Sequence, residues 1–164
     1  RGPYITNWWI IGPFPKEKDA LSDGGFGQRQ TVSFDGVYNG LNDQPVRWIR
    51  VTGPTAYLDF TRFIEPHEII GAAYAFTFID SDCERDISIA VGSNDGAQVW
   101  VNGEQVYKDA GNHKAIPDQD IVPIHLHAGR NTLLCRVHQL GAGWGLYVRL
   151  LTQEKDVKAS VEMR

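Results

Sequence analysis

The sequence predicts an all-β protein, a β-sandwich or jelly roll, and three observations carry that expectation. Apolar and polar residues alternate with period two along much of the chain, as half-buried strands require. No helical period is sustained over successive turns. Clusters of Gly, Pro, Asn and Asp separate the alternating segments at intervals that suit an antiparallel sandwich.

In chain order the strand candidates are TNWWII (6–11), VRWIRV (46–51), AYLDF (56–60), IIGAAYAFTFI (69–79), DISIAV (86–91), AQVWV (97–101), DIVPIHL (120–126), NTLLCRVH (131–138) and WGLYVRLL (144–151). Trp8 and Trp9 are adjacent and must face opposite sides, and since Ile10 and Ile11 follow their phases neither side is clearly wet. Parity turns Ile87, Ile89 and Val91 inward, and likewise Leu133, Cys135 and Val137. Val122, Ile124 and Leu126 form an inward set that leaves Pro123 and His125 outside, which suits an edge strand. In VNGEQV, Asn102 and Gly103 tolerate the positive φ that a type I′ hairpin turn needs.

Residues 16–45 have weak periodicity and many turn residues, so a long loop is expected there, with a short strand around TVSF (31–34). Residues 1–151 read as one sandwich domain, and 152–164 as a charged tail or the start of a linker. A chain beginning at Arg1 reads as a piece excised from a longer protein.

Composition narrows the class. A hydrophobic share of 42% and a charged share of 22% are those of a globular domain, and the apolar runs are too short for a spanning helix. A formal charge of −4 offers no basic field for a phosphate backbone, so nucleic acid is not an expected partner, and the composition and short apolar runs suggest no membrane partner either. Cys83 lies in a polar loop and Cys135 in the apolar phase of a strand, which disfavours a bridge between them.

WWIIGPF (8–14), GSNDGAQVWVNGEQV (92–106), LHAGRNTLLCRV (126–137) and GWGLYVRL (143–150) together resemble the galactose-binding-like jelly-roll modules appended to bacterial glycoside hydrolases and other secreted enzymes. The resemblance implies a galactose-binding-domain-like sandwich working as a non-catalytic carbohydrate-binding module. Its partners would be a glycan and a neighbouring domain, in an extracellular or periplasmic setting. No cofactor is certain, though a structural calcium is possible, and Trp48 matches a structural Trp placed before a strand. More remotely, similar modules line a calcium-dependent sugar site with two acids before a Gly. Here Asn94 and Asp95 precede Gly96, and Asn in place of the first acid lowers the charge available to a cation.

A sugar site needs an aromatic platform and a few fixed polar groups. Trp100 is a candidate platform because Ala97, Val99 and Val101 point the other way, although a covering loop would make it a packing residue instead. Trp144 is flanked by Gly143 and Gly145, which leave room for a ligand, yet it shares phase with Leu146, Val148 and Leu150. Asn112, His113 and Lys114, in the polar loop 108–120, could reach the same rim as Asp95 and Trp144, or the loop could simply be solvated. The expected ligand-binding set is therefore Asn94, Asp95, Trp100, His113 and Trp144.

Other clusters are weaker. Asp80, Asp82, Glu84 and Asp86 mimic the start of a calcium loop but lack its Gly and final Glu, where Arg85 and Val91 stand. His125 and His127 share a strand face, a spacing that can bind zinc, but no third ligand is recognisable and surface histidines are expected. No nucleophile elbow, zincin helix, phosphate loop or Cys-x-x-Cys occurs, so the chain is not expected to be an enzyme. The alternative to sugar binding is an accessory sandwich that packs against a catalytic neighbour.

Overall fold

A computed structural model describes residues 3–16, 26, 32–65, 70–141, 143–152 and 155–163. Its strands are β1 (Asn7–Phe14), β2 (Val37–Asn39), β3 (Pro45–Arg47), β4 (Ile49–Thr52), β5 (Leu58–Asp59), β6 (Ile70–Ser81), β7 (Arg85–Asn94), β8 (Ala97–Val101), β9 (Glu104–Asp109), β10 (Asp120–Leu126), β11 (Gly129–Leu140), β12 (Gly145–Leu151) and β13 (Val157–Ser160). Two antiparallel sheets face each other, as the alternation predicts. A seven-stranded sheet runs β4-β1-β6-β11-β8-β9 with β13 also on β6, and a four-stranded sheet runs β10-β7-β12-β5. A β2–β3 hairpin stands apart from both. Among the described residues no helix is long and apolar enough to cross a membrane.

The inter-sheet core collects the inward residues that parity assigned: Ile89 and Val91 from β7, Val122, Ile124 and Leu126 from β10, and Leu133, Cys135 and Val137 from β11. β10 is an edge strand with Pro123 exposed, where a missing N–H costs the ladder nothing. Asn102 and Gly103 take φ of 50° and 80° and close the β8–β9 hairpin. Both cysteines are free, Cys135 buried and Cys83 exposed.

The large sheet is dry on its outer face too. Ile11, Phe14, Tyr74, Phe76, Trp100 and Leu134 point away from the inter-sheet core into a second cluster, closed over by Phe26, Val32, Val46 and Trp48. This explains why β6 is almost continuously apolar: a strand covered on both faces has no wet phase. The ambiguous Trp8–Trp9 pair has the same cause, with Trp8 in the inter-sheet core and Trp9 stacked on Phe34 at 4.4 Å.

Two expectations about chain organisation change. The stretch 16–45 is not simply a loop, because its described part lays the aromatic cover on the large sheet. Its strand falls at Val37–Asn39, whereas Val32–Phe34 is not a strand. The stretch 152–164, expected as a tail or linker, pairs β13 with Ser81–Phe78 of β6 and buries Val157 and Val161. β11 occupies one edge of β6 along its whole length, so β1 and β13 lie end to end on the other.

Candidate functional site

The outer face of the four-stranded sheet carries a row of half-exposed tyrosines. On β12, the inward phase of Leu146, Val148 and Leu150 turns Tyr147 and Arg149 outward. Leu58 and Asp59 pair with Leu146 and Gly145, and Tyr4 bridges to Arg149 further along. Two more tyrosines therefore flank Tyr147. Tyr57 lies 4.9 Å from it between ring centroids and Tyr4 lies 5.9 Å away. The Tyr57 ring rests on Gly145, where any Cβ would overlap it.

Polar groups border this ledge. Arg149 lies over the Tyr4 ring at 4.4 Å and donates through Nε to Asp118 at 2.9 Å, while the Tyr4 hydroxyl donates to the same carboxylate at 3.2 Å. Burial, with the carboxylates of Asp59 and Asp95 adding to it, pushes the Tyr57 phenol well above its usual range, so it remains a hydroxyl donor at neutral pH. Burial and Asp118 raise Tyr4 in the same sense.

At the end of the sheet lies the rim expected from sequence. Asn94 and Asp95 are hydrogen-bonded neighbours there, and Asp95 is near enough to His113 to act on its charge, within a network that folding itself accounts for. Asp95 accepts from the Leu140 N–H at 2.9 Å, and its own N–H donates to the His138 carbonyl at 2.8 Å. With its amide oriented to satisfy its neighbours, Asn94 donates to the Gly143 carbonyl and to Asp95. The end of β9 and the loop 110–119 are drawn down onto this end: a Cβ on Gly96 would meet the Asp109 carbonyl, and one on Gly92 would meet the Ile116 carbonyl.

His113 is held by its own loop, with Nε2 2.5 Å from Asp109 Oδ2. Burial lowers the imidazole's pKa, but Asp109, the Lys114 carbonyl and Asp95 outweigh it, and the net shift is upward. Asp109 is raised by burial and lowered more by the Gly111 N–H and His113. Half-buried His138, with Nε2 3.3 Å from both Gly96 N and the Gly111 carbonyl, is shifted down by burial and by Lys16.

The two expected indole platforms are not at this rim. Trp144 is 0% exposed, packs against Phe60 in the inter-sheet core and donates to the Val137 carbonyl at 2.9 Å, so its phase outweighed its flanking glycines. Trp100 is 8% exposed and belongs to the outer aromatic cluster of the other sheet. The covering residues lie far back in sequence, which is why a single-strand pattern made Trp100 look available. Sequence reasoning missed Tyr4, Tyr57 and Tyr147, although the outward parity of Tyr147 was a usable signal.

A groove of about 720 Å³ lies beside the β2–β3 hairpin, lined by Val37, Leu41, Ile49, Phe63 and Glu65. Val37 and Ile49 are 51% and 43% exposed, so the groove is partly apolar. The acids of 80–86 are engaged in pairs: Asp80 with Arg130, Asp82 with Arg85, and Glu84 and Asp86 with His125.

No family model matches the chain, and no curated protein matches it. Solved structures do superpose. An anti-sigma factor domain-containing protein matches with a TM-score of 0.55 at 13% identity, over 93% of this chain and 45% of its own. The β-glucuronidase of Ruminococcus gnavus matches with a TM-score of 0.55 at 10% identity, over 93% of this chain and 29% of the enzyme. A PA14 sugar-binding domain from an RTX adhesin superposes with a TM-score of only 0.41 at 16% identity, over 56% of this chain and 52% of that one, too loosely to argue from. This chain thus spans less than half the length of the first two solved chains. At these identities the likeness establishes the shared β-sandwich fold alone.

Proposed function

We propose that the chain is a non-catalytic carbohydrate-binding module of galactose-binding-like type, belonging to a larger secreted carbohydrate-active protein. Its action is proximity: holding the parent on a glycan raises the local substrate concentration without chemistry of its own. The observation that carries this reading is the row of Tyr4, Tyr147 and Tyr57 with Asp118, Arg149 and Asp59 beside it. A pyranose stacks its C–H face on such rings, and fixed carboxylates and a guanidinium orient its hydroxyls. The contact surface is moved from the indoles to the tyrosines, with Asn94, Asp95 and His113 shaping the adjoining rim.

The test is calorimetric titration with oligosaccharides of galactose, xylose, glucose and glucuronic acid. Binding is expected to weaken roughly tenfold on Tyr147→Ala or Tyr57→Ala, the loss of about 1.4 kcal/mol per ring. Absence of binding at millimolar sugar across the panel overturns the reading.

A second reading, an accessory sandwich that docks on a neighbouring domain, is favoured by the groove bearing Val37 and Ile49. Trp100 plays no part in it, being already covered from within the chain. Fusion to the native neighbour is expected to protect this groove from labelling at an Ile49→Cys probe, and unchanged labelling rejects docking there.

A further inference from the structure

We propose that Glu84, His125 and His127 form a surface site for a divalent cation of the zinc class. Strand register builds it. β10 pairs with β7 so that His125 faces Asp86 and Leu126 faces Arg85, and continuing the ladder brings His127 beside Glu84. The two histidines, two residues apart on an extended segment, project to one side with ring centroids 5.3 Å apart. All three side chains are exposed, and one ligand atom from each lies within 4.8 Å of the other two.

The separations of Glu84 from each histidine suit tetrahedral coordination. Zinc bonds of about 2.0–2.1 Å place neighbouring ligand atoms about 3.3 Å apart. Glu84 Oε1 is 2.8 Å from His125 Nε2 and 3.6 Å from His127 Nδ1, distances that bracket this value. The outer partner is in place as well. His125 Nδ1 lies 2.7 Å from Asp86 Oδ1, which fixes the ring and leaves Nε2 for a metal, as in carboxylate–histidine–zinc arrangements.

The two nitrogens of His125 each face an acid, Nδ1 at Asp86 and Nε2 at Glu84, so a cation between Nε2 and Glu84 takes the place of one hydrogen bond. Two imidazole ligands favour zinc, nickel or copper over the hard cations calcium and magnesium. Three protein ligands leave one coordination position for water or for a donor group of a bound molecule. The cluster stands at the start of β7, and Asn94 at the opposite end of the strand, so the site is separate from the rim.

The experiment titrates zinc chloride into chelator-treated protein at neutral pH by calorimetry, with calcium chloride in parallel. One zinc and no calcium are expected to bind per chain. His125→Ala and His127→Ala should each weaken zinc more than Asp86→Asn does, whose loss of an outer partner is expected to cost about 10-fold. Cys83→Ser, which removes the nearby exposed thiol, should leave affinity unchanged. Circular dichroism confirms that each variant is folded. An absence of zinc binding, or undiminished binding in the folded His125→Ala/His127→Ala double variant, overturns the proposal.

Discussion

The buried indole of Trp144 donates a 2.9 Å hydrogen bond to the carbonyl of Val137, joining the residue that leads into β12 to the C-terminal part of β11 in the facing sheet. The side chain thus bridges the two layers of the sandwich through both packing and a polar contact. Trp144→Ala is expected to destabilise the protein by about 3–5 kcal/mol through cavity formation. Trp144→Phe should lose less, because the ring volume largely remains and what is lost is one hydrogen bond to a carbonyl within the β11 ladder, about 0.5–1.5 kcal/mol. Guanidinium denaturation of both variants checks the order. Loss of sugar binding in Trp144→Ala with stability unchanged would instead make the indole a ligand platform.

Gly92 carries the loop 110–119 on its open side, since an added Cβ would come within 1.9 Å of the Ile116 carbonyl. Its φ does not lie in the left-handed region, so the requirement for glycine is spatial. Gly92→Ala should cost about 1–3 kcal/mol and lift the loop from β7. Faster proteolytic cleavage within 110–119 would report the lifting, and wild-type cleavage rates would show that the loop does not need this seat.

His113 and Asp109 form a pH-dependent clasp on the same loop. His113 is shifted up, so its contribution is fully present below the unfolded value of about 6.5 and disappears as pH rises through the folded value. Asp109 is shifted down, so its contribution is present above the unfolded value of about 3.9 and disappears as pH falls through the folded one. The pair therefore stabilises most between those limits. Neighbouring His138 is shifted down and favours the fold in the opposite direction of pH. A pH curve of the whole protein mixes these effects, whereas the difference between wild type and His113→Gln isolates the clasp. That difference should be larger near pH 5.5 than near pH 8 in thermal melts, and a flat difference rejects it.

The sandwich was legible because its determinants are local. Alternation in β7, β10 and β11 states which side chains meet the core, and Asn102–Gly103 states where one hairpin closes. β13 was harder to see, since VKAS is short, charged and weakly alternating, and what stabilises it is the open edge of β6 beyond the end of β1.

The candidate sites were legible only in part, for the same reason in reverse. The sequence by itself determined that Trp144 lies in the phase of Leu146 and Val148, that Trp100 opposes Val99, and that His125 and His127 share a side. It could not say what lies over each face. The cover of Phe26, Val32, Val46 and Trp48 on Trp100, the tyrosine row along β12, and the approach of Glu84 to the two histidines all arise from segments far apart in the chain. Strand periodicity fixes the direction of a side chain through backbone geometry alone, whereas exposure and partnership depend on which distant segments pack and pair there, and only the tertiary structure decided that.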